Sequence, residues 1–138
     1  MRWAVAVVAI MVATGSAQAS CDDLTANLGR AGMKVSAVGQ NEITLRNRQI
    51  APGGEVSILC SKKVLFTGMK TRRIPKDMID MTAKVAKILY AVRDPDMTDW
   101  IARCHNDAVL SGSAQRGSDA LLLRCEAGLT SSISLRPR

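Results

Sequence analysis

The chain has 138 residues, 47% hydrophobic and 22% charged, with 19 Lys and Arg against 12 Asp and Glu for a net charge of +7. That balance excludes intrinsic disorder, collagen-like repeats and a charged tail, and the length suits one small domain. The four aromatic residues, Trp3, Phe66, Tyr90 and Trp100, are too few for a stacking platform, so nucleic acid is disfavoured as a partner.

The N-terminal segment has the three parts of an export signal: Arg2, an apolar run from Trp3 to Val12, and small residues leading to Ala17-Gln18-Ala19. Residues 1–19 are therefore expected to be a secretory signal peptide, and 20–138 a single disulfide-stabilised α+β domain. The apolar run is about half the roughly 20 residues a bilayer requires, and no later window replaces it. The mature chain is thus expected to lack a transmembrane segment and to be exported to a periplasmic or extracellular space. Cys21 lies two residues past the cleavage alanine with no upstream leucine, which argues against a lipid anchor. Loss of Arg2 leaves 18 Lys and Arg against 12 Asp and Glu, so the mature protein stays basic.

Cys21, Cys60, Cys104 and Cys125 make an even set for an oxidising compartment and predict two disulfides. Spacing alone leaves all three connectivities open. Cys21 and Cys104 fall on helical patterns, whereas Cys60 and Cys125 extend alternating strand patterns. The favoured pairing is therefore Cys21 to Cys60 and Cys104 to Cys125, each stapling a helix to a strand. The cysteines lack the close pairing of a zinc knuckle, so no metal site is expected.

In chain order, Asp22 and Asp23 open a helix over about 22–31 carrying Leu24 and Leu28 and ending at Gly32. Strands follow at Lys34 to Val38 and Glu42 to Arg48 around Gly39-Gln40-Asn41. After the Pro52-Gly53-Gly54 break come strands at Glu55 to Cys60 and Val64 to Gly68. From Pro75 the period changes, with Met78, Met81, Val85, Ile88 and Val92 marking the buried face of the longest helix. Asp94-Pro95 reads as a restart into a second helix through Met97, Trp100, Ile101 and Cys104. The chain closes with strands at Ala108 to Ser111, Ala120 to Glu126 and Ser131 to Leu135, with a polar loop from Gly112 to Ser118. The predicted order is α-ββββ-αα-βββ: an α+β fold with a mostly antiparallel sheet and helices on one face. Each half offers a helix cysteine followed by a strand cysteine, but the spacings differ too much to define a repeat.

Few constellations point to catalysis. His105, the sole histidine, reads as a surface residue near a helix C-terminus; Cys104-His105 lacks the earlier cysteine that haem attachment needs, since Ile101 stands there. The acid pairs Asp94/Asp96 and Asp77/Asp80 sit where helix starts favour negative charge. Met69, Met78, Met81 and Met97 could offer thioethers to copper, but they fit core packing, and no cofactor is expected. The feature above background is a run of six bases without an acid: Lys62, Lys63, Lys70, Arg72, Arg73 and Lys76. This run predicts one positive end of the molecule. The leading expectation is an exported, non-enzymatic binding module whose basic surface contacts a protein or an anionic envelope component. The alternatives are an enzyme of unrecognised family using carboxylates or His105, and an accessory subunit of an envelope assembly.

Overall fold

The computed structural model describes residues 16–46, 53–92 and 96–138. Helix α1 (Ser16–Arg30) precedes strands β1 (Ala37–Val38), β2 (Glu42–Leu45), β3 (Glu55–Leu59) and β4 (Val64–Met69). Helices α2 (Lys76–Leu89) and α3 (Met97–Ser111) then lead to β5 (Ser113–Gly117), β6 (Leu121–Glu126) and β7 (Ser131–Pro137). The expected order α-ββββ-αα-βββ is thus observed. The strands form one antiparallel sheet in the order β1-β2-β3-β4-β7-β6-β5.

The sheet follows from alternation. Ile43, Leu45, Val56, Ile58, Leu65, Met69, Leu121, Leu123, Ile133 and Leu135 point to one face and are buried there. Their neighbours Thr44, Ser57, Phe66, Ser134 and Arg124 form a row across the opposite, open face that is polar except for Phe66. Such one-sided patterning requires a cover on the apolar side only. Helices α1, α2 and α3 provide it through Cys21, Leu24 and Leu28, then Met78, Val85 and Leu89, then Met97, Ile101 and Ala108. Inside this core the Thr82 hydroxyl donates to the Met78 carbonyl at 2.7 Å, and the Thr67 hydroxyl lies 2.7 Å from the Thr82 oxygen, tying β4 to α2.

Two disulfides close the fold, Cys21–Cys60 and Cys104–Cys125, in the favoured pairing. Each joins the helix ahead of a strand meander to that meander. The last strands of the two meanders, β4 and β7, lie side by side, so the two-part pattern of the cysteines has a topological counterpart.

Several boundaries differ from expectation. Helix α1 starts six residues before Asp22, at Ser16, because the helix-favouring Ala17, Gln18 and Ala19 extend it upstream. It ends as expected at Gly32, whose φ of 79° lets the Met33 N–H reach back to the Leu28 carbonyl. Strand β1 has shrunk to two residues, and β2 ends at Leu45, with Arg46 already outside the strand and Asn47 and Arg48 outside the described residues. Asp94 and Pro95 also lie outside them, and Asp96 is the residue preceding α3. Residues Ala108 to Ser111 are the last turn of α3, not a strand, and the segment expected to be a polar loop is β5. Ala108 continues the helical stripe of Ile101 and Cys104, which outweighs the strand-like run Ala108-Val109-Leu110.

Among the described residues no helix is long and apolar enough to cross a membrane.

Candidate functional site

The residues between β4 and α2 are fixed onto α3 by a dense set of hydrogen bonds. The Arg72 guanidinium donates to the Val109 carbonyl at 2.6 Å, near the negative end of the α3 dipole. Arg73 donates to Asn106 Oδ1 at 3.1 Å, and the Ile74 backbone N–H to His105 Nε2 at 2.9 Å. From the sheet, the Ser131 hydroxyl donates to the Arg72 carbonyl at 2.6 Å. The Thr71 hydroxyl donates to the Arg73 carbonyl, closing the turn. The side chains of Lys70, Arg72, Arg73 and Lys76 are thus presented, exposed, from a backbone that is already ordered. Lys76 pairs with Asp80 at 3.3 Å, whereas Lys70 has no side-chain partner among the described residues.

The other two members of the basic run lie elsewhere. Lys62 and Lys63 occupy the turn before β4, and Lys70 follows its end, so at about 3.3 Å per residue the strand separates them by roughly 20 Å. The six bases therefore do not form the single positive end expected of them. Lys62 and Lys63 share their end with Arg136, and the turn is anchored from below by the Tyr90 hydroxyl, which donates to the Lys63 carbonyl. Burial pushes the Tyr90 phenol well above its ordinary pKa, so it stays a neutral donor.

The end carrying Lys70 is assembled from three segments: residues 70–75, the last turn of α3, and the β6–β7 turn. Arg72 touches α3 through Val109 and the first residue of β7 through Ser131, and the Ala127 N–H at the start of the β6–β7 turn donates to the Gly112 carbonyl at 3.0 Å. The carboxylates on the adjoining segments are ion-paired, Asp107 with Arg116 at 2.8 Å and Glu126 with Arg124 at 2.9 Å.

His105 departs most from expectation: it is fully buried, not on the surface. Nε2 accepts from Ile74, so in the neutral ring the proton sits on Nδ1, which has no partner among the described residues. Burial, with a smaller contribution from the Arg73 charge, holds its pKa below the usual histidine value. It lines a cleft of about 540 Å3 between α2 and α3, with Ile79 and Ala102 among the apolar lining and Arg73, Lys76, Asp80 and Asp99 among the charged residues. The lone pair that could take a proton is engaged by Ile74, so the ring serves as a tether for the basic loop. Its neighbour Cys104 is held in a disulfide and offers no thiolate.

The remaining candidates are dispersed. Asp80 pairs with Lys76, Asp99 with Arg103 at 2.9 Å, and Asp94 lies outside the described residues. Met69, Met78 and Met97 are buried in the core, and Met81 packs against it. On the open sheet face a concavity of about 480 Å3 surrounds Gly68, where a Cβ would stand 2.9 Å from the Phe66 ring. Glycine there is required for the ring to lie along the strand.

Two residues at the Lys70 end escaped the sequence reading: Leu110 and Leu129 are almost wholly exposed. Leu110 was recoverable, since it lies nine residues beyond Ile101 and so, at about 100° per residue, on the opposite side of the helix. Leu129 carried only the weaker signal of a leucine set between Gly128 and Thr130 in a turn. No protein-family model, curated protein or solved structure matches this chain.

Proposed function

We propose that this protein is an exported binding module whose contact surface is the end formed by residues 70–76, the C-terminal turn of α3 and the β6–β7 turn. The single observation that carries the reading is the pre-ordered basic loop. Its backbone is held to α3 and β7, Lys70 extends from it while the exposed Arg72 and Arg73 are set in place by bonds to Val109 and Asn106, and Asp107 and Glu126 on the adjoining segments are ion-paired. Holding cations in place before binding removes an ordering cost, and it suits a surface selected for contact with an anion. The signal-like residues 1–19 and the two disulfides support an exported setting. Lys62 and Lys63 stand outside this surface.

The test is association of the purified, oxidised domain with isolated cell-envelope material across a salt series, from about 50 mM to about 500 mM. The unmodified domain is expected to bind at low salt and to be released as salt rises. The double variant Lys70→Glu/Arg73→Glu should bind weakly at every salt, while Lys62→Glu/Lys63→Glu should behave like the unmodified domain. Equal binding by the Lys70/Arg73 variant would remove the proposal. Arg72 is left intact because its guanidinium closes the α3 terminus.

A further inference from the structure

The end that carries the basic loop also carries the two most exposed large apolar side chains among the described residues. Leu110 is 84% exposed in the last turn of α3, and Leu129 is 96% exposed at the β6–β7 turn. Scattered surface leucines are ordinary, and one alone would require no account. These two stand on segments locked to each other and to the basic loop. Arg72 bonds the residue before Leu110, and the Ala127 N–H, two residues before Leu129, bonds the Gly112 carbonyl.

We infer that this end seats on an anionic lipid bilayer, with Leu110 and Leu129 entering the interfacial layer and Lys70 and Arg73 meeting the headgroup phosphates. The inference rests on the contact surface proposed above and names its partner.

Two observations favour lipid over a folded protein partner. The leucines project singly from a helix corner and a turn, and they do not form one continuous patch. A fluid bilayer closes around separated apolar side chains, whereas a protein would need a shaped pocket for each. The pairing of exposed aliphatic residues with neighbouring exposed cations matches the two additive terms of peripheral binding, apolar insertion and attraction to acidic lipid.

The experiment is co-sedimentation of the purified, oxidised domain with vesicles of phosphatidylcholine alone or with about one-third phosphatidylglycerol. Binding is expected to the anionic vesicles and not to the neutral ones. Leu110→Gln and Leu129→Gln leave the charge unchanged, sit on the surface and should each weaken binding about tenfold. Lys70→Gln/Arg73→Gln should weaken it about thirtyfold. Circular dichroism and a thiol titration confirm that each variant is folded and fully oxidised. Full binding by both leucine variants would reduce the contact to charge alone and overturn the inference. No binding of the unmodified domain to anionic vesicles would also overturn it. If charge-dependent binding to envelope material persisted in that case, the contact surface would stand with a protein as its partner. If that binding also failed to respond to Lys70→Glu/Arg73→Glu, both readings would fall.

Discussion

A buried imidazole is one of the groups that fix the position of the basic loop, and its protonation sets a pH limit on the fold. His105 can accept from Ile74 only while Nε2 is unprotonated. Its folded-state pKa lies below the unfolded value of about 6.5, so the stability tied to the neutral ring is fully present above that value. It is lost as pH falls from about 6.5 toward the lowered folded pKa, at no more than about 1.4 kcal/mol per pH unit. Thermal melts between about pH 7 and about pH 5.5 should therefore show a falling Tm in the unmodified domain. His105→Gln keeps an acceptor for the Ile74 N–H but does not titrate, and its Tm should be nearly flat over this window; parallel slopes would assign the effect to another group. That His105 is buried was hidden by its polarity. Its position, four residues after Ile101 and three before Ala108, was nevertheless that of a core residue.

Between elements, the hydroxyl pair joining β4 to α2 gives an asymmetric prediction. Thr82→Val removes the acceptor that the buried Thr67 hydroxyl needs and leaves that donor unsatisfied, costing about 1–3 kcal/mol. Thr67→Val removes the donor itself and leaves Thr82 bonded to Met78, so the cost should stay near 0.5–1.5 kcal/mol. Denaturant melts that reversed this order would show the pairing to be misassigned. Elements were legible from the sequence where burial imposes a period. The stripes of α2 and α3 and the alternation of β2, β3, β4, β6 and β7 all follow from one-sided burial. Strand β5 was illegible because it lies at the sheet edge and turns only Ala114 and Arg116 toward the core side, Arg116 to pair with Asp107. An inward charge on an edge strand guards against pairing with another chain, and the same device erases the hydrophobic signal. The basic run was visible as composition, but its division by β4 was not, since linear proximity carries no information about which end of a strand a turn occupies.

For the molecule as a whole, both disulfides join cysteines consecutive in the chain, and each closes one helix-and-meander half before the sheet is completed by β4 meeting β7. A chain entering an oxidising space N-terminus first presents Cys21 and Cys60 together while Cys104 and Cys125 are still absent, and the pair that forms by default is the native one. The second pair then has no competitor left. Under the proposed export, native connectivity is expected to follow the order of arrival, and a thiol oxidant should be sufficient without an enzyme that reshuffles disulfides. Oxidised yield should be the same in export hosts with and without disulfide isomerase, whereas release of the whole reduced chain from denaturant into oxidant alone should accumulate mispaired forms. If the chain is exported as proposed, the consecutive arrangement of the cysteines makes vectorial delivery itself the proofreading step of oxidative folding.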